Sequence, residues 1–180
     1  MKNIKYSVLA LAGALLLSGS MVLATPPDSS SQTGSPALVQ LVHRELANLP
    51  YYGVFDNLAY QVNGTTVTLY GQVVRPVTKA DAESRVKHIE GVTKVVDNIE
   101  VLPLSAMDNA IRARVYRAVF SRASMYRYAM GVNPGIHIIV DNGHVTLEGV
   151  VSSKQDSELA QIAANGVSGV FSVTNHLRIE

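Results

Sequence analysis

Apolar residues recur at helical spacing at Leu38, Leu41, Val42, Leu46 and Leu49, directly behind Ser35 and Pro36. A serine in the cap position and a proline at the first helical position mark this as a helix start. The period then drops to two, with Leu58, Tyr60 and Val62 alternating with Ala59 and Gln61. Asn63-Gly64 supplies turn chemistry and Val67, Leu69, Gly71 and Val73 resume the alternation, which predicts a β-hairpin. A second helix is expected with Ala82, Val86 and Ile89 facing inward, closed by Gly91 as a left-handed C-cap before Val92. A last strand follows over Val95 to Val101, so the order is α-β-β-α-β.

The same order comes a second time. Ser105 with Asp108 is a weaker cap signal, ahead of a stripe of Met107, Ile111, Val115 and Val119. Ile136, Ile138 and Val140 alternate, Asp141-Asn142-Gly143 turns the chain, and Val145, Leu147, Gly149 and Val151 follow. Leu159, Ala163 and Val167 are expected to face inward on the next helix, Gly169 to cap it before Val170, and Val173 to Ile179 to form the final strand. Shifting the chain by 78 residues aligns 62–101 with 140–179 without a gap, and ten of the forty pairs are identical. The matches fall mostly on core-building positions, so the repeat is structural.

The predicted fold class is therefore α+β: a tandem repeat of two small α-β-β-α-β domains, each a three-stranded sheet packed on two helices. Their expected bounds are 36–102 and 106–180, joined by a linker over 103–105. Domains of about 70 residues lie near the lower limit for an independent core, which favours packing between the copies. Gly71 and Gly149 share parity with the inward Val and Leu residues. A missing Cβ there would let a helix approach the sheet or permit a bulge. A phosphate loop is the alternative, although neither glycine opens a Gly-rich loop before a helix.

Ahead of the repeats, Lys2 and Lys5 precede an apolar run from Val8 to Leu17, then small residues up to Ala24. Residues 1–24 read as a secretory signal peptide cut after Ala24, an uncleaved membrane anchor being the alternative. The Pro/Ser/Gly-rich stretch over 25–35 reads as a flexible lead-in. With no cysteine in the chain, disulfides, thiolate metal sites, a thiol nucleophile and lipoprotein attachment are all excluded. Formal charge is +1, so bulk charge does not make this a polyanion binder, and any such role needs a local patch.

One such patch stands out. Arg112, Arg114, Arg117, Arg122 and Arg127 lie close together in the second copy, interleaved with Tyr116, Phe120, Tyr126 and Tyr128. Cationic and aromatic side chains in this mixture suit an anionic lipid surface, the alternative being a solvated helix face. The segment Met125 to Gly135, four residues longer than its counterpart, adds an aromatic and Met-rich loop. The five histidines show no H-x-x-x-H or H-E-x-x-H spacing, and no G-x-S-x-G occurs, so no metal, cofactor or catalytic residue is expected. Asp97 and Asn175 share inward parity with valines, expected of a side chain bonding its own backbone, or else of a polar ligand group.

The run Gly64, Val67-Thr68-Leu69-Tyr70-Gly71-Gln72-Val73, Gly91-Val92, Val95 and Asp97 resembles the pattern of the BON domain family, a bacterial envelope module. Gly143, Val145 to Val151, Gly169-Val170, Val173 and Asn175 repeat it. This resemblance implies a non-enzymatic periplasmic protein, soluble once the signal peptide is removed, with a role in envelope maintenance or osmotic stress. The partner it implies is anionic phospholipid or another hydrophobic ligand, the alternative being a protein-interaction or holdase-like stress factor acting on envelope proteins. Nucleic acid is not an expected partner of an exported chain.

Overall fold

The computed structural model describes residues 34–131 and 133–180. The expected signal peptide and most of the lead-in lie outside the described residues. The elements are α1 (Pro36–Ala47), β1 (Asn57–Asn63), β2 (Thr66–Val73), α2 (Pro76–Lys87) and β3 (Lys94–Val101), followed by α3 (Ala106–Phe120) and a short α4 (Ala123–Tyr126) that runs into a 3-10 turn over Arg127–Ala129. The chain finishes with β4 (Ile136–Asp141), β5 (His144–Val151), α5 (Lys154–Asn165) and β6 (Ser172–Ile179). Two separate three-stranded sheets result, ordered β1-β2-β3 and β4-β5-β6. Each pairs its hairpin antiparallel and its last two strands parallel, the intervening helix making the crossover.

Each sheet buries its alternating residues under its own helix pair. Val62, Val67, Leu69 and Val73 meet Leu38, Val42, Ala82 and Val86 in the first core. Val140, Val145, Leu147 and Val151 meet Ile111, Val115, Ala160 and Ala164 in the second. The inward positions of α5 are thus Ala160 and Ala164, and the expected Leu159, Ala163 and Val167 are only half-buried. Met107 at the start of α3 is exposed, and its neighbour Asp108 turns inward instead. Asp108 accepts hydrogen bonds from the N–H groups of Asn142 (3.1 Å) and Gly143 (2.8 Å), anchoring the β4–β5 turn to the helix.

Both hairpin turns take the forms their residues favour. Asn142 and Gly143 both have positive φ, as a type I′ turn needs, and Gly64 has a φ of 59° at the first central position of the other turn. The caps reverse their apparent strength in the sequence: Ser35 makes no side-chain cap bond, whereas Ser105 Oγ accepts from Asp108 N at 3.1 Å.

The two strand glycines are needed for a reason other than helix approach. Gly71 and Gly149 have φ values of 115° and 123°. A Cβ at Gly71 would overlap the Asn57 carbonyl, and one at Gly149 the Gly135 carbonyl. The crowding therefore comes from the backbone at the start of the neighbouring antiparallel strand, combined with a conformation that L side chains rarely adopt. Gly91 and Gly169 also have positive φ, but α2 ends at Lys87 and α5 at Asn165, so both glycines lie beyond the helix ends in the turns entering β3 and β6.

Candidate functional site

The stripe of Ile111, Val115 and Val119 pins α3 to the second core and decides which arginines can reach solvent. Arg112 follows Ile111 inward: its Nη2 donates to the Val140 carbonyl at 2.6 Å and its Nη1 to Asn109 Oδ1 at 2.7 Å. Burial pulls its guanidinium below the ordinary value, opposed by Asp108, Asp56 and Asp141. Arg112 is thus a polar cap on the outer edge of β4 and drops out of the sequence-predicted lipid surface. Phe120 and Tyr128 drop out too, because both are buried in the second core. Tyr116 is half-buried, its ring 4.9 Å from Phe120 and 6.2 Å from Phe55.

Arg114, Arg117, Arg122, Arg127 and Tyr126 remain on the surface. Tyr126 is 55% exposed, and Met130, within the Met-rich segment picked out in the sequence, is 60% exposed on the same connector. Arg117 Nε bonds the Ala113 carbonyl at 3.2 Å, on its own helix. Arg127 is already engaged: its Nη2 lies 2.7 Å from Asp156 Oδ2 and 2.8 Å from the Tyr128 hydroxyl, and the guanidinium sits over the Tyr128 ring. Among the described residues no ion pair involves Arg114, Arg117 or Arg122.

The Arg127 contact belongs to a network that fixes the connector. Tyr128 donates its hydroxyl hydrogen to Asp156 at 2.8 Å and accepts from Ser152 N at 2.9 Å. Ser153 Oγ accepts from Asp156 N at 3.1 Å and lies 2.9 Å from its carboxylate, capping α5. The Tyr128 hydrogen bond, then those of Ser153 and Arg127, hold the Asp156 carboxyl below the usual range. In the first unit the corresponding backbone group, Val74 N, is bound by Asp56 Oδ1 at 2.7 Å. Different side chains therefore satisfy the same exit from the central strand in the two copies.

The two units also touch. The connector between α1 and β1 reaches across to β4: Ile138 N donates to the Val54 carbonyl at 2.7 Å, and His137 Nδ1 lies 3.2 Å from the Gly53 carbonyl. Tyr52 and His137 pair their rings at 5.5 Å, and Val54 and Phe55 pack against the second core. Burial lowers the His137 pKa, against the contrary pull of the Gly53 and Asp56 backbones and the Asp56 and Glu148 charges. Tyr52 is pushed up to about 12, mainly by burial. One signal of this seam was visible, since Ile139 breaks the alternation of β4 and the strand from Ile136 to Val140 is buried on both faces.

Asp97 and Asn175 do what short polar side chains can do in an edge strand. Asp97 Oδ1 accepts from Ile99 N at 2.9 Å and Asn175 Oδ1 from Leu177 N at 3.1 Å, occupying outward N–H groups. His88, His144 and His176 bond to Ser84, Ser172 and Glu148 respectively. Among the described residues no cluster of three His, Asp or Glu side chains could hold a metal, and no helix is long and apolar enough to cross a membrane.

The two repeated units each correspond to one copy of a known module. A BON domain model matches residues 39–103 and again 108–180, and the chain belongs to the BON domain family as a tandem pair. It is similar to osmotically-inducible protein Y of Escherichia coli (strain K12), with 30% identity over 125 residues that cover 68% of this chain. The match spans 61% of that protein's length. Among solved structures it is similar to the C-terminal domain of CdsD, a structural protein of the type III secretion system of Chlamydia trachomatis, at 12% identity. That likeness covers 81% of this chain and 98% of the other, with a TM-score of 0.30.

Proposed function

We propose that this chain is an exported, non-enzymatic envelope protein of the osmotic-stress response, whose second BON domain binds the surface of anionic phospholipid membranes. The observation that carries the reading is the surface left after the buried side chains are removed from the arginine segment. Arg114, Arg117 and Arg122 are exposed without an ion-pair partner among the described residues, and Tyr126 and Met130 are exposed farther along the same stretch of chain. Cations near an anionic headgroup layer are attracted by its surface potential, and an aromatic ring and a thioether can enter the interface. In the first unit Arg85 lies 3.4 Å from Glu45 and Lys79 3.7 Å from Asp97, and the exposed cations Arg44, Arg75, Lys87 and Lys94 are spread over α1, α2 and its cap, and β3 rather than gathered in one segment. Export and a periplasmic location are supported by the N-terminal sequence pattern and the family.

Co-sedimentation of the protein with vesicles tests this. Binding is expected to vesicles containing phosphatidylglycerol and not to purely zwitterionic ones. It should weaken as salt rises and the Debye length falls from about 10 Å at 0.1 M to about 3 Å at 1 M. Equal binding to both vesicle types, or none to either, removes the membrane reading and leaves envelope proteins as the partners.

A further inference from the structure

We propose that the seam between the two units is a binding site for a small, neutral, single-ring aromatic molecule. A cavity of about 180 Å³ lies there, with walls from α1, the α1–β1 connector and β1 on one side and from the second unit on the other. Leu46, Ala47 and Leu58 make the wall apolar, while Tyr52, Tyr60 and His137 bring ring faces to it. Cavities of about 150 Å³ lined by apolar side chains hold benzene, so the volume suits one ring and is too small to enclose a whole lipid.

The chemistry of the walls narrows the occupant further. No Asp, Glu, Lys or Arg lines the cavity, and burial keeps His137 toward its neutral form, so a charged ligand would find no counter-ion. Of the polar groups on the walls, those of Tyr60 and His137 are engaged within the protein, while Asn133 and the exposed His43 also line the cavity and can meet a polar group of a neutral occupant. Tyr60 donates its hydroxyl hydrogen to the Val39 carbonyl at 3.3 Å, and His137 Nδ1 bonds the Gly53 carbonyl at 3.2 Å. Beside these the rings offer an occupant π-surface, already in tilted pairs: Tyr52 with His137 at 5.5 Å, and His43 with Tyr60 at 6.5 Å. A third ring can join such an arrangement edge-on or offset. Because His137 comes from the second unit, an occupant would touch both units and strengthen their docking.

Titration of the full chain with phenol, followed by amide NMR, tests the site, with benzoate as a charged probe of similar size. Phenol should produce saturable shifts confined to residues around the cavity, in 43–60 and 136–138, and benzoate should bind at least about tenfold more weakly. Ala47→Phe, which fills the cavity from α1, should weaken phenol by at least about tenfold while amide signals far from the seam stay in place. Should that variant unfold, Leu58→Trp fills the space from β1 and must give the same loss. Shifts that scatter over the surface without saturating, equal binding of phenol and benzoate, or undiminished phenol binding by a folded filled variant overturns the proposal.

Discussion

Replacing Arg112 separates a structural role from a surface one, because the same residue that sequence places in a lipid-facing cluster is buried against β4. Arg112→Ala removes the 2.6 Å bond to the Val140 carbonyl and the 2.7 Å bond to Asn109. Bonds from a charged donor contribute about 1.5–3 kcal/mol each, and leaving the Val140 carbonyl without its partner adds to the loss. Against this, Arg112 Nε is buried with no partner, and deleting the side chain relieves that cost, of about 1–3 kcal/mol. Asp108 keeps its own bonds to Asn142 and Gly143, so the turn stays anchored. The balance is a net destabilisation of about 2 kcal/mol, or roughly 4–8 °C in Tm for a chain of this length. Urea denaturation followed by circular dichroism measures it, and binding of the folded variant to anionic vesicles should match the parent. An unchanged denaturation midpoint with weakened vesicle binding would refute the burial argument and return Arg112 to the surface cluster.

Gly71→Ala and Gly149→Ala should each destabilise by about 2–4 kcal/mol, since each adds the strain of a positive φ to an overlap with backbone that cannot rotate away, and denaturant melts would show it. Ser105→Ala should cost about 1 kcal/mol and Ser35→Ala much less, because only Ser105 makes a side-chain cap bond; matched thermal melts check the order. Stability should fall as pH drops from 7.5 to below about 6.5, because the folded His137 pKa is depressed, so the unfolded chain takes up the proton first. Further acidification protonates Asp156, whose folded pKa is also depressed, and its contribution is lost as pH falls below about 4 and through the folded value. Asp56 works in the opposite sense, since burial raises its pKa and protonation relieves that cost. In Tm against pH, His137→Gln should flatten the first step and leave the acid step in place.

Alternation marked both hairpins because each sheet has one face on the helices, and the offset of 78 residues exposed the repeat because the core positions are the ones retained. The bonds of Asp97 and Asn175 to their own strands were also legible, although both side chains reach distant partners as well, Lys79 for Asp97 and Ser157 with Gln161 for Asn175. What depended on distant partners was not. Periodicity on α3 could not tell whether Arg112 or Arg114 faces Val140, a residue brought there by the hairpin, and could not foresee that Tyr128 folds back onto Ser152 and Asp156. On α5 the stripe was misplaced by one position, because small alanines at 160 and 164 carry the packing and larger neighbours looked the better candidates. The seam was missed because its evidence is split between a connector and a strand more than eighty residues apart.

If exposed, unpaired arginines of the second unit hold the protein on anionic membranes, paired triple substitutions will separate them from the rest of its charge. Arg114→Gln with Arg117→Gln and Arg122→Gln should weaken binding to phosphatidylglycerol vesicles by about 3 kcal/mol, more than a hundredfold, at about 1 kcal/mol per cation. Arg44→Gln with Lys79→Gln and Arg85→Gln removes the same number of charges from the first unit, where Arg85 lies against Glu45 and Lys79 against Asp97, and should change binding little. Equal losses in the two triple variants would reduce the effect to net charge. No loss in the second-unit variant would contradict the claim outright.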